Sequence, residues 1–289
     1  MTLDIEPLRE WIGRTETASD LVTERLALAY RATVSDSAEP VQPGAPAPAG
    51  IHWCLAPPIA SISGLGPDGH RERGGFLPPV PLPRRMWAGS RVSFADRLRV
   101  GDEVERTSRI AGVQAKTGAS GELCFVTVEH VIRTERGEAV REEQDLVFRE
   151  PPRGVRRAQP ADARATEPAP LPAPDLVRQI ETSPVLLFRF SALTLNGHRI
   201  HYDQRYATEV EGYGGLVVHG PLQAALLLDL ATTMRDGAPP VRFEFRAMRP
   251  LLDSDPLALA GRWRGASTAE LSSGPDTSLC YVTARAIWE

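Results

Sequence analysis

Three of the six histidines in this 289-residue chain fall within one stretch, FSALTLNGHRIHYDQRYATEVEGYGGLVVHGPLQAALLLDLATTM, from Phe190 to Met234. His198 and His201 follow Asn196, and His219 stands before a Gly220-Pro221 step that opens a long apolar run. An imidazole with a free pKa of about 6.5 takes or gives a proton at neutral pH, which makes His201 the natural acid/base group. Pro221 suits the first turn of a helix, and Gly220 leaves its backbone N–H uncovered there. At the positive end of the helix dipole, that N–H faces a place where negative charge can develop. Proton transfer beside an oxyanion is the chemistry these types and spacings allow. Plainer readings stay open: a structural histidine, an ordinary glycine at a helix start, a His219 that shapes the turn, an Asp203 that braces the next segment. The HxxH pair invites a metal, but neither an HExxH helix nor a cysteine set supplies further ligands, and no metal or other cofactor is expected.

Those residues need a rigid platform, and the following helix offers one. Leu222, Ala224, Ala225, Leu226, Leu227, Leu228, Leu230, Ala231 and Met234 make Gly220 to Met234 apolar nearly all round. A helix without a solvent face is buried, so mainly its N-terminal end can meet a ligand. A second helix, Ala18 to Thr33, is amphipathic, with Asp20, Glu24, Arg25 and Arg31 on its polar side. Strands are expected at Trp87 to Phe94, Glu103 to Val113, Leu123 to Thr134, Ala139 to Arg149, Leu186 to Ala192, Arg242 to Met248, Leu257 to Arg264 and Cys280 to Trp288. The stretch 151–174 is rich in Pro, Ala and Arg and reads as a stiff linker between residues 1–150 and 175–289. Each part then has a helix followed by consecutive strands, which suggests two copies of one α+β unit, each a curved antiparallel sheet around a helix.

Several classes of function are excluded. A net charge of −4 argues against a nucleic-acid footprint, which needs a basic face. The most apolar run is interrupted by Gln223 and Asp229 and is shorter than the roughly 20 residues of a membrane span. The N-terminal MTLDIEPLREWIGR lacks the basic-then-apolar pattern of a secretory signal. Cys54, Cys124 and Cys280 are too scattered for a disulfide framework. A small-molecule protein of the cytoplasm is expected.

The pattern N-x-x-x-x-H, then V-x-H-G and an apolar helix, resembles the MaoC-like hydratases and dehydratases. Their motif is D-x-N-P-x-H followed by an H-G step. Here His201 falls on the family histidine, Gly220 on the oxyanion glycine and Asn196 on the aspartate, and asparagine cannot act as the base that the aspartate is thought to be. FLPPVPLPRRMWAGSRVSF, from Phe76 to Phe94, resembles the N-terminal part of a double-hotdog subgroup. That subgroup includes type 2 hydroxyacyl-thioester dehydratases and bacterial mesaconyl-C4-CoA and itaconyl-CoA hydratases.

The resemblance implies a double-hotdog fold with a degenerate, substrate-binding N-terminal half and a catalytic C-terminal half. It implies a hydro-lyase adding water to an α,β-unsaturated acyl-CoA, with a short branched dicarboxylate such as mesaconyl-C4-CoA or itaconyl-CoA favoured and citramalyl-CoA the product. Asn196, His201 and Gly220 would form the catalytic set. Arg84, Arg85, His198, His219 and Tyr213 would contact substrate, with Arg84 or Arg85 the candidate to grip a free carboxylate. A homodimer is an open assembly. Alternatives are a 3-hydroxyacyl-thioester dehydratase, a hotdog thioesterase, or a non-catalytic acyl-thioester-binding protein, since one fold hosts several chemistries.

Overall fold

The computed structural model describes residues 3–118, 121–150 and 173–289, so the linker expected over 151–174 lies outside the described residues except for its last two positions. Ten strands form one antiparallel sheet. They are β1 (Thr15–Leu21), β2 (Arg84–Phe94), β3 (Glu103–Gly118), β4 (Gly121–Thr134), β5 (Gly137–Arg149), β6 (Leu176–Ile180), β7 (Arg242–Ala247), β8 (Leu257–Trp263), β9 (Thr268–Gly274) and β10 (Val282–Ile287). Their order across the sheet is β1-β3-β4-β5-β2-β7-β10-β9-β8-β6. The five strands before residue 150 thus lie side by side, as do the five after 175. The runs join where β2 pairs with β7, from Gly89 opposite Arg246 to Ser93 opposite Arg242. Gly89 is required at this seam, because a Cβ there would stand 2.3 Å from the Phe245 carbonyl oxygen.

Four helices accompany the sheet: α1 (Glu6–Arg9), α2 (Glu24–Val34), α3 (Pro184–Thr194) and α4 (Gly220–Met234). Helix α4 packs against β2, β7, β8, β9 and β10. Leu222, Leu226, Leu227, Leu228 and Leu230 are all buried among Phe243, Leu257, Leu259, Leu271 and Val282. Each buried leucine contributes roughly 1.5–3 kcal/mol, so the helix is firmly anchored along its length. Helix α2 buries Ala27, Tyr30, Thr33 and Val34, and its main neighbours are α3, α4 and the short turn at Ile51–Cys54.

Two expected elements are corrected. Leu186 to Ala192 is helix α3, not a strand. Ser183 caps it by accepting the Leu186 N–H, Pro184 occupies the first turn, and Leu187, Phe190 and Ser191 turn inward at helical spacing. The run Val185-Leu186-Leu187-Phe188 suits either structure, and the Ser-Pro start decides. The helix expected from Ala18 begins at Glu24, after Thr23 accepts the Leu26 N–H, and residues 15–21 instead pair with β3 as an edge strand. No helix among the described residues is long and apolar enough to cross a membrane.

Candidate active site

Helix α3 ends at Leu195, whose left-handed φ of 48° turns the chain sharply into Asn196-Gly197-His198. A short 3-10 turn, Arg199–His201, then carries His201 inward. His201 is buried and its Nδ1 lies 2.7 Å from the Val217 carbonyl oxygen. A carbonyl only accepts, so Nδ1 carries the proton and Nε2 keeps its lone pair. Burial, opposed by the Val217 bond and reinforced by the charge of His70, lowers the His201 pKa to about 4. At neutral pH it is an uncharged acceptor.

The other imidazoles form a row around it. His219 stacks on His201 with ring centroids 3.6 Å apart, and its Nε2 meets Ser191 Oγ at 2.8 Å. His219 therefore stands behind His201, away from the cavity wall. His198 lies edge-on to His201 at 5.4 Å, and burial, then the charges of His70 and His201, lowers its pKa to about 2. Asn196 lines the cavity, and its Oδ1 accepts the His198 backbone N–H at 3.0 Å, closing an Asx turn.

Gly220 is the first residue of α4, and the helix has no side-chain cap. Its N–H thus has no partner within the helix. Gly220, Pro221, His201, His198 and Asn196 all line a cavity of about 360 Å³ that lies between the two runs of strands. Gln223, one turn further along α4, is buried, reaches the same cavity, and accepts from Ser273 Oγ at 2.9 Å.

Strand β2 brings in Arg84 and Arg85, which the structure separates in role. Arg84 is occupied: its Nε lies 2.8 Å from Glu211 Oε2, its Nη2 bonds the Glu211 carbonyl, and its guanidinium covers Tyr213 at 5.5 Å. Arg85 lines the cavity without a hydrogen bond or ion pair to any described residue. Burial, partly offset by the charge of Asp68, lowers its pKa to about 10, so it remains a cation.

Residues 50–253 match the family model described as hydroxyacyl-thioester dehydratase type 2. The chain belongs to that family. It is 43% identical over 266 residues to the mesaconyl-C(4)-CoA hydratase of Chloroflexus aurantiacus, covering 92% of each chain. A MaoC-like dehydratase from Phytophthora capsici superposes with a TM-score of 0.69 at 15% identity, over 99% of both chains. A conserved Mycobacterium tuberculosis protein described as having a double hotdog fold gives 0.53 at 16% identity, over 96% of both. The fold is a double hotdog, and the protein is an enzyme of the hydratase/dehydratase type.

The family motif draws attention to residues 196–220, but the cavity has a second polar wall. Arg106 on β3, His130 on β4, and Glu142 and Gln144 on β5 line it, together with His52 and Trp53. Trp53 Nε1 donates to both Glu142 oxygens at 3.2 Å, and His52 Nε2 stands 3.6 Å from Oε2, an ion-pair separation. Burial pushes the Glu142 carboxyl up, but His52 and His130 outweigh it and hold the group below the usual range. Asp68 and His70 also line the cavity and are hydrogen-bonded to each other at 2.9 Å. Sequence spacing did not single out any of these six wall residues or the Asp68–His70 pair.

Proposed function

We propose that this enzyme hydrates a short, branched enoyl-CoA bearing a free carboxylate, of the mesaconyl-C4 type, to a citramalyl-type product. The observation that carries the reading is Arg85, a half-buried cation in the cavity wall whose guanidinium has no hydrogen bond or ion pair among the described residues. A guanidinium that faces a cavity with its donors uncommitted can grip a substrate carboxylate through a charge-assisted, bidentate contact. The relative named as a mesaconyl-C(4)-CoA hydratase supports the same substrate class.

Addition of water needs a held water, a proton carrier and a site for the enolate oxygen. Gly220 N–H, with the α4 dipole behind it, receives the thioester oxygen. His201 Nε2 aligns the water against the β-carbon, and an imidazole of this wall takes up the proton. Asn196, engaged with the His198 N–H, shapes that wall and does not act as a base. The strands before residue 150 contribute binding, and those after 175 the oxyanion site and His201. The reverse reaction, dehydration of a 3-hydroxyacyl thioester, uses the same groups.

Hydration is followed by loss of enoyl absorbance with mesaconyl-C4-CoA, itaconyl-CoA and crotonyl-CoA in parallel. Arg85→Ala is expected to raise KM for the dicarboxylate about ten- to hundredfold while leaving crotonyl-CoA nearly unchanged. An equal effect on both substrates would remove Arg85 from the carboxylate, and release of free thiol would identify a thioesterase.

A further inference from the structure

The turn that carries Asn196 has a counterpart facing it. Asp68-Gly69-His70 and Asn196-Gly197-His198 share a sequence pattern, and in each the Asx Oδ1 accepts the backbone N–H of the histidine two residues on, at 3.0 Å, although Gly69 takes a left-handed φ of 87° and Gly197 does not. The turns are clasped backbone to backbone. The Arg199 N–H donates to the Asp68 carbonyl at 2.9 Å, and the Arg199 guanidinium reaches the Pro67 carbonyl at 3.0 Å. A Cβ on Gly69 would fall 1.9 Å from the Gly197 oxygen, and one on Gly197 would fall 2.6 Å from the Gly69 oxygen. Only glycine permits this approach at either position. It sets the His70 and His198 rings 4.2 Å apart, and His198 leads on to His201.

Their first side chains differ in one group, a carboxylate oxygen against an amide nitrogen. Asp68 has a second carboxylate oxygen, and Oδ2 lies 2.9 Å from His70 Nδ1. That contact fixes the proton on Nδ1 and leaves Nε2 as an acceptor, with no bond to a described residue. We propose that His70, backed by Asp68, is a catalytic acid/base group of this enzyme, and that the carboxylate missing at position 196 is supplied from the facing turn. The inference rests on the hydratase reading above.

In this arrangement the water lies between two acceptors, His201 Nε2 and His70 Nε2. As its oxygen bonds to the β-carbon, one O–H bond breaks and the proton passes to His70 Nε2, while the π pair moves to the thioester oxygen at Gly220. The enolate then collapses, and its α-carbon takes that proton back from His70. Water is the only reactant consumed. Burial, reinforced by the charge of Arg85 and opposed by Asp68, lowers the His70 pKa to about 4, as burial does for His201. What distinguishes His70 is the carboxylate against its Nδ1, which meets the forming imidazolium with a negative charge where Val217 offers His201 a neutral carbonyl. Asp68, His70 and His198 also offer ligand atoms within 4.8 Å of one another, a spacing that could hold a cation. Both Asp68 oxygens already serve His70, and the Arg85 charge acts on the same ring, so this donor set suits a dication poorly.

Asp68→Asn is the sharpest variant, because the facing turn shows that an asparagine Oδ1 can accept the same backbone N–H. Hydration of the enoyl-CoA panel is measured for the wild type, Asp68→Asn, His70→Gln, both together, and Asp68→Asn with Asn196→Asp, each checked for an unchanged thermal transition. Asp68→Asn is expected to lower kcat about 10²-fold with KM nearly constant, and His70→Gln at least as much. The Asp68→Asn/His70→Gln double variant should fall no further than His70→Gln, since the two act as a unit. Asn196→Asp should restore at least about tenfold of the Asp68→Asn loss, by returning a carboxylate to the site. A near-wild-type kcat in His70→Gln overturns the inference while leaving the hydratase reading intact. Failure of Asn196→Asp to rescue overturns the carboxylate exchange, and one bound divalent ion per chain, lost in Asp68→Asn, overturns the dyad in favour of a metal. A wild type that hydrates no enoyl-CoA overturns the reading and the inference together.

Discussion

The two runs of strands repeat one order and use it for different ends. Numbered within its own run, each is arranged 1-3-4-5-2, with the first strand at the outer edge and the second at the seam. The second run closes on α4, and its concavity is filled by leucines. In the first run α2 lies instead against α3 and α4, and strands β3, β4 and β5 turn Arg106, Val128, His130, Glu142 and Gln144 toward the cavity. A filled concavity yields a rigid helix N-terminus suited to an oxyanion. An unfilled one leaves a cavity with polar walls, which the reading proposed above assigns to the acyl group.

That contrast can be broken in three ways. His201→Ala should give the largest effect, a fall in kcat of about 10²–10⁴-fold, while Glu142→Gln across the cavity should leave kcat close to wild type. Comparable losses from both would mean that the chemistry extends to the wall built by β3, β4 and β5. Next comes Gly220→Pro. His219, with ψ of 133°, has a backbone that tolerates a following proline, and the lost N–H has no partner within the helix. Turnover should drop about 10²–10³-fold with α4 intact by circular dichroism; a wild-type rate would remove Gly220 from the oxyanion site.

The smallest effect is on stability. His130 in the first run and His201 in the second are both depressed to about 4, chiefly by burial. Each lies below the unfolded value of about 6.5, so on acidification the unfolded chain binds the proton first. The stability from each is complete above pH 6.5 and lost as the pH falls toward 4, on the order of 3 kcal/mol for His201 alone. Because the seam makes one sheet of both runs, the thermal transition should fall in temperature over this range and remain single. Two separated transitions would show that the halves unfold independently.

Much of this was legible in the residues. The all-apolar α4, the strands β2 to β5, and the acceptor and donor at His201 and Gly220 follow from local pattern and the family motif. Strands β6 and β9 were not foreseen: Leu176–Ile180 is short, and Thr268–Gly274 carries two serines and a glycine where alternation would be sought. Helix α3 was concealed by an apolar run that suits either structure. The choice between Arg84 and Arg85 turns on Glu211, a partner far along the chain. Glu142, His52 and His130 are ordinary polar residues until the fold buries them together. Asp-Gly-His at 68–70 echoes Asn-Gly-His at 196–198 in the sequence, and the echo takes on meaning only where the fold brings the two turns together.

The clasp between Gly69 and Gly197 has a consequence for how the enzyme comes into being. Its partners are about 130 residues apart, so joining them, like the seam between β2 and β7, closes a long loop, a step whose entropic cost rises with loop length and which slows folding. Strand hairpins and α4 can form early from nearby contacts, whereas the clasp must wait for both halves. Activity should therefore appear as the final event of refolding, later than the recovery of secondary structure, and a ribosome-bound first half would hold a pocket wall without the means to use it.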